Sequence, residues 1–405
     1  MALAKSASHD VIASEQELAD LVRQIQAADR VAIDTEADSL HSYREKLCLL
    51  QISAPAVAGI VDGGLEQGEF ASQREQRSRL EHDFVVDPLS NLDLQPLRHA
   101  LEPKKIVLHA ADYDLRMLRR GLNFTASTIF DTVIAARLLG IREFSLGALV
   151  KRFFDVELHK HSQKANWALR PLPPKMLKYA VDDVHYLLPL AAKLEEELER
   201  VQRSDWFRQS CERAIELAAA QRERIEDELW RIGGAGALDP RTGSVLRALW
   251  QWRETEAEMA DRPPFHILQN RELLNAAEDF ASGGVPDYKY FSARRRQAFN
   301  EAARIALQSP ESEWPVMRRR SGVRPTAEMR RRADQLRERR DKAAEQLGLE
   351  RSFIASRGAL EAIAADPARA TTLLVPWQRK LIGMADAAGS GRRSQPMELP
   401  ASALS

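Results

Sequence analysis

Polar and apolar positions along the first 200 residues follow two periods in turn. VAIDTE at Val31–Glu36 and LCLLQIS at Leu47–Ser53 are short, aliphatic and β-rich, and a polar connector joins them, as in a hairpin. A third apolar run is either Val57–Val61 or Phe84–Pro88, and Ile106–His109 reads as another strand. Helical spacing predicts helices near Leu94–Leu101, over Tyr113–Arg120 with Gly121 as the stop, near Asp131–Leu139, over Leu146–Phe154, and one long helix from about Pro174 to beyond Arg200. Strands clustered early with helices interleaved predict an α/β domain, a mixed sheet flanked by helices, over 1–205. Within it 63–82 is polar, charged and without period, which reads as an insertion or disordered loop.

From about residue 205 strand-like alternation disappears. A connecting helix and linker over 206–237 ends in Gly233, Gly234 and Gly236, and a helical block follows over 238–318. Ser321–Pro325 reads as a hinge, 325–386 as a second helical block, and 387–405 as a disordered tail of small polar residues. Both blocks carry an Arg-rich helix, a turn and a Leu-containing helix, so they resemble divergent repeats.

A chain of 405 residues exceeds one ordinary core, in line with this division. No apolar run reaches membrane-span length, and the first ten residues lack a signal-peptide core, so a cytoplasmic protein with no membrane partner is expected, and a monomer. Cys48 and Cys211 are the only cysteines, which excludes a disulfide framework and a cysteine zinc site. The formal net charge of +0 argues against a strong nucleic-acid footprint. Its distribution argues the other way: residues 1–200 hold 25 basic and 30 acidic side chains, and the remainder 34 and 29. Three Arg triplets, Arg294–Arg296, Arg318–Arg320 and Arg330–Arg332, are either basic patches or solvated helix faces.

The chemistry-bearing positions are ordered acids. Asp34 and Glu36 stand two apart on a strand, so both side chains leave one face. Chance supplies roughly nine acid-x-acid pairs in a chain of this composition, so the pair alone discriminates little. Asp114 falls in the first turn of the helix after Ile106–His109, with Asp112 placed as an N-cap. Tyr179 and Asp183 are i and i+4 and share a helix face, while Asp182 points away from it. Taken in order, the four carboxylates form a set able to hold two divalent ions, the clamp used in phosphoryl displacement.

Those residues are where the sequence resembles a known family, the tyrosine subgroup of the DEDD 3′-5′ exonucleases, and most nearly its ribonuclease D members. The resemblance runs through Asp34–Glu36, His109–Leu115, Phe130–Thr132, Trp167–Leu172 and Tyr179–Leu188. It implies a ribonuclease H-like fold, with Asp34, Glu36, Asp114 and Asp183 as ligands of two Mg²⁺ or Mn²⁺ ions and Tyr179 positioning the attacking water. It implies removal of nucleoside 5′-monophosphates from RNA with a free 3′ end, tRNA precursors above all. Leu246–Leu274 resembles the helical HRDC domain shared by RecQ-type helicases and ribonuclease D, and Arg330–Leu381 a more divergent copy. Ala37 stands where the family often has Phe, and Asn166 where Asp is common; neither removes a ligand.

Other candidates are substrate contacts: Phe144 and Trp167 by base stacking, Lys160, Lys164 and Arg170 through phosphates, with core packing the competing role for the aromatics. His109 reads as a strand-end hydrogen-bonding residue. A DNA 3′→5′ exonuclease with the same site and a catalytically idle RNA-binding adaptor are the alternative functions.

Overall fold

Six strands form one mixed sheet, β1 (Val11–Ile12), β2 (Arg30–Ala37), β3 (Leu47–Pro55), β4 (Glu81–Val86), β5 (Lys105–Leu108) and β6 (Thr128–Asp131), in the order β1-β4-β3-β2-β5-β6. They belong to a computed structural model that describes residues 11–55, 81–158, 162–220, 226–317 and 325–384. β3 runs antiparallel to β2 and β4, whereas β5 is parallel to both β2 and β6. Eight of the nine β3 residues are buried, as a central strand covered on both faces requires. The third apolar run resolves to Phe84 and its neighbours: Glu81 and His82, expected at the end of a loop, open β4 instead. Residues 63–80 of the expected insertion, with Val57–Val61, lie outside the described residues.

The helices are α1 (Glu15–Ala27), α2 (Gln95–Leu101), α3 (Asp112–Leu122), α4 (Thr132–Leu138), α5 (Leu146–Phe154), α6 (Pro174–His185), α7 (Leu187–Arg200) and α8 (Ser204–Ala219). The single long helix expected from Pro174 is two helices meeting at Tyr186. Pro189 explains the break, because its ring would collide with the carbonyl of His185 in a continuous helix. Gly121 does not stop α3; the helix runs on to Leu122 and closes on Asn123 in the left-handed conformation, φ 51°. Gly121 serves proximity instead, since a Cβ there would lie 2.7 Å from the Cβ of Leu47 at the start of β3.

By internal packing the chain separates into two units. One comprises Met1–Val133, Ser145–Leu194 and Ala214–Val323. It holds the sheet and a helical block of α9 (Pro240–Met259), α10 (Asn270–Ala281) and α11 (Ala293–Gln308). That block has its own core, in which Phe299 is fully buried with its ring centroid 4.8 Å from Trp252 and 5.3 Å from Phe280. Within the unit, the β2–β3 connector meets the end of α9: the Tyr43 N–H donates to Asp261 (3.1 Å), and Arg44 pairs with Glu258 (3.1 Å).

The other unit comprises Ile134–Phe144, Glu195–Arg213 and Arg324–Ser405, with α12 (Ala327–Leu347), α13 (Arg357–Ala365) and α14 (Pro376–Leu381). The two helical blocks share one internal lock. In the first, the buried Arg253 donates to the Leu268 carbonyl (3.2 Å) and to its neighbour Glu254 (3.0 Å). In the second, the buried Arg340 donates to the Ala355 carbonyl (3.0 Å) and to its neighbour Asp341 (2.8 Å). Each lock spans 15 residues and ends on an extended residue after a four-residue helical turn.

Gly121→Ala would gain about 1 kcal/mol of helix propensity and cost about 1–3 kcal/mol by overpacking against Leu47. The crowding atom is a Cβ that cannot swing aside, so we expect net destabilisation, read as a lower urea midpoint with an unchanged slope.

Candidate active site

Asp34 and Glu36 lie near the C-terminal end of β2 and share a face, with Gln51 and Leu49 opposite them on β3. β5 pairs with β2 only from Arg30 to Ala32, so the last residues of β2 have a free backbone edge. Asp114, at the start of α3, fills that edge. Its Oδ1 accepts from the Thr35 N–H (3.1 Å) and from the Thr35 hydroxyl (2.5 Å). The middle residue of Asp-Thr-Glu is therefore the anchor that places the third acid. No role for it is visible in sequence, because its partner is 79 residues away.

The start of α3 is held by a residue that sequence reasoning left without a role. Asp112 does not cap the helix; it pairs with Arg116 (2.8 Å), and the N-cap position falls to Ala111 without a side-chain bond. Asp131, buried at the end of β6, accepts from the N–H groups of Ala110 (3.2 Å), Ala111 (2.9 Å) and Val133 (2.8 Å). Ala110 sits at φ 60°, a costly conformation for alanine, and these bonds hold the turn that aims Asp114. Tyr113 donates to Glu45, and Arg120 pairs with the same carboxylate (2.9 Å), which fixes the outer side of α3. His109 Nδ1 lies 2.8 Å from the Thr132 hydroxyl, at the end of β5.

Tyr179 and Asp183 both lie on α6, which packs over β2, β3 and β4. The tyrosine is nearly buried and hydrogen-bonds to Asp183. Asp182 faces elsewhere and takes the Lys178 ammonium at 2.6 Å. At the end of α6 the His185 imidazole meets buried Asp83 of β4, Nδ1 to Oδ2 2.6 Å, so the helix carrying Asp183 is tied to the sheet two residues further on.

Three of the acids converge: one carboxylate oxygen each from Asp34, Glu36 and Asp183 lies within 4.8 Å of the others. That span is what oxygen ligands at 2.0–2.6 Å from one ion occupy, and the all-carboxylate donor set suits a hard divalent cation. Asp114 stands outside this trio but close enough to repel it, and is buried at 5% exposure where the trio is partly buried. The electrostatics match. Burial, then the charges of Asp114, Asp183 and Glu36, raise the Asp34 carboxyl well above its usual range. Burial, then the charges of Asp183 and Asp114, push Glu36 up to about 9. Asp114 rises to about 7, mainly by burial, with the Thr35 bonds pulling the other way. Burial and the Asp183 charge raise the Tyr179 hydroxyl, which keeps its proton at neutral pH.

The remaining candidates separate. Trp167 is sealed in the core at 1% exposure, its ring 6.0 Å from Tyr179, and so offers no face to a base. All five N–H donors of Arg170 are taken, by Asp87 (2.5 and 2.6 Å) and the carbonyls of Trp167, Leu169 (2.7 Å each) and Cys48 (2.8 Å), which leaves none for phosphate. It ties the loop before α6 to the sheet. Lys164 is exposed, and Lys160 lies outside the described residues. Phe144 belongs to the second unit, its ring 5.7 Å from the Arg137 guanidinium. Arg294 and Arg295 both pair with buried Glu256 (2.7 and 3.1 Å) and Arg296 with Asp287 (2.8 Å), so that triplet is largely neutralised within its own block. Among the described residues no helix is long and apolar enough to cross a membrane.

Comparison with known proteins follows the same division. The family described as 3′-5′ exonuclease matches residues 10–199, and the HRDC domain matches residues 243–280. Ribonuclease D of Sphingobium indicum is 30% identical over 274 residues, covering 66% of this chain and 64% of that protein. Ribonuclease D of Haemophilus influenzae is 29% identical over 273 residues, covering 66% of this chain and 62% of that protein. The aligned segment thus spans a little under two thirds of these relatives. The crystal structure of Escherichia coli RNase D shares the fold, with a TM-score of 0.65 at 21% identity over 88% of this chain and 90% of that one.

Carboxyls whose folded pKa is raised contribute stability that is complete below their unfolded value near 4 and is lost as pH rises through the folded value. In chelator the thermal midpoint should therefore fall from about pH 5 upward, through about 7 for Asp114 and about 9 for Glu36. Glu36→Gln should flatten the upper limb, and Mg²⁺ or Mn²⁺ should restore the parent's midpoint there. A midpoint independent of pH in chelator would contradict this account of the site.

Proposed function

Residues 10–199 belong to the 3′-5′ exonuclease family, and on that premise we propose that the protein is a metal-dependent 3′→5′ exoribonuclease of ribonuclease D type. It releases nucleoside 5′-monophosphates one at a time from RNA 3′ ends, tRNA precursors being the substrate class. The observation that carries the reading is the convergence of Asp34, Glu36 and Asp183 within 4.8 Å, beside Asp114 and under the Tyr179 hydroxyl. The HRDC match at residues 243–280 and the lock it shares with Arg340 favour a nucleic-acid enzyme with two such helical domains, the second being the block from Arg324. The cytoplasm and a monomeric state are part of the same proposal.

Asp34, Glu36 and Asp183 would hold one divalent ion, and Asp34 with Asp114 a second. When bound, the ions supply Lewis-acid activation of water and neutralise charge at the leaving 3′ oxygen. The protein's own groups do the rest. The acids repel a phosphodiester until their charge is compensated, so substrate and ions bind interdependently. Thr35 and Asp131 keep Asp114 from drifting away from that charge. Tyr179, protonated and hydrogen-bonded to Asp183, is placed to hold the attacking water in line rather than to remove its proton. RNA is told from DNA by contacts to the 2′-hydroxyl, which makes the DNA exonuclease the rival to test.

Asp34→Asn should abolish turnover of a 3′-hydroxyl RNA, and chelator should do the same to the parent. Tyr179→Phe should lower kcat by about 10²–10⁴ while leaving metal-induced thermal stabilisation intact. Parent-like turnover by Asp34→Asn would refute the mechanism, and equal rates on matched DNA would move the assignment to the rival.

A further inference from the structure

The second unit contains a cavity of about 630 Å³ between two glycine turns, the one after α4 and the one after α12. The turns are locked together from below. Arg203 donates to the Leu138 carbonyl and to the Leu347 carbonyl (2.9 Å), bridging the last carbonyls of both helices. Gly140 and Gly348 both adopt positive φ, 73° and 67°, and a Cβ on Gly140 would stand 2.6 Å from the Gly348 carbonyl oxygen. The close approach is thus built into the sequence at two positions, and the cavity is part of a rigid junction.

Its lining is divided by chemistry. Ile141, Phe144 and Leu349 provide an apolar wall. The Arg137 guanidinium lies 4.2 Å from the Phe353 ring centroid and 5.7 Å from that of Phe144, and pairs with Glu350 at 2.9 Å. Ser352 also donates to Glu350, so that carboxylate is fully engaged. The buried Nε of Arg137 has no hydrogen-bond partner among the described residues. At the rim stand two exposed cations. Arg142 makes no ion pair among the described residues, and Arg351 has only a distant one, 3.9 Å to an Asp341 that Arg340 already holds at 2.7 Å. With Arg137 and Glu350 cancelling, the cavity's rim keeps Arg142 without an ion pair among the described residues and Arg351 with only this distant one.

We propose that this cavity binds one nucleotide of a single-stranded RNA, the base against Phe144 and the flanking phosphates on Arg142 and Arg351. An apolar wall with an aromatic ring in it suits a π-face of any base, and two cations at the rim suit a phosphodiester strand better than an acidic peptide. The size lies within the range of sites that enclose a small molecule. The choice of RNA rests on the exoribonuclease reading; the site itself uses no residue of the acid cluster.

The test is fluorescence anisotropy of a 5′-labelled single-stranded RNA with the full chain in chelator, so that turnover plays no part. The double variant Arg142→Ala/Arg351→Ala should weaken binding roughly tenfold or more and reduce the slope of log K against log salt by about 1.4, two single-strand phosphate contacts. Phe144→Leu should weaken binding with the slope unchanged. Arg330→Ala/Arg331→Ala, two exposed arginines elsewhere on the same unit, should change neither. Parent-like affinity and slope in the first double variant would overturn the proposal, as would an equal loss in the Arg330/Arg331 control. Displacement of the RNA by adenosine 5′-monophosphate from the parent, at concentrations that leave the double variant unaffected, would assign the cavity to free nucleotide and overturn the strand reading. Turnover of the same RNA by the parent is scored separately in Mg²⁺, so a failed exonuclease assay and a failed cavity assay are separable.

Discussion

Repulsion among carboxylates at the end of β2 is the constraint around which the first unit is arranged. Asp34, Glu36 and Asp183 are held within 4.8 Å, and Asp114 adds to the field from 5% exposure. Such a group disperses unless each member is fixed by something else. Thr35 fixes Asp114 with two hydrogen bonds, and Asp131 fixes the turn before it with three. Asp83 fixes α6 through His185, and Arg170 ties the loop before α6 to Asp87 and to the carbonyl of Cys48 on β3. The cost of assembling the acids is met by a shell of interactions that never touch the proposed ions.

The helical blocks answer a different requirement. Each buries an arginine beside an acid and spends it on a carbonyl 15 residues on, which closes a short turn against a long helix. A buried guanidinium is tolerable only when its donors are satisfied, and the neighbouring acid with the carbonyl at the end of the turn meets that need. The Arg294–Arg296 triplet shows how such residues mislead in sequence: what counts as a basic patch on paper is mostly internal ion pairing. Arg142 and Arg351, at the Gly140 and Gly348 turns of the second unit, are exposed cations without such close internal pairing.

Much of the first unit is legible in the sequence. β2, β3 and β5 and most helices follow from apolar period, because a half-buried strand or helix must alternate with its own geometry. The errors were local and physical. A proline three residues into α7 splits one expected helix, a glycine expected to end α3 serves clearance from Leu47, and β6 offers only two apolar residues in a row, Ile129 and Phe130, where the equally short β5 offers three.

The sequence by itself determined which chemistry is available: acids on one strand face, an acid at a helix start and a tyrosine one turn before another acid, because residue type and spacing set which side chains can share a face. Which of them meet was decided only by tertiary structure. Thr35 reaches Asp114 across 79 residues and Arg170 reaches Asp87 across 83, and neither has a local signature. Burial gives Trp167 the core-packing role that competed with base stacking, and the same distance effect makes a clamp of Arg170, a candidate phosphate contact. Burial and partner choice depend on which segments the fold brings together, and nothing in the spacing of one segment records that.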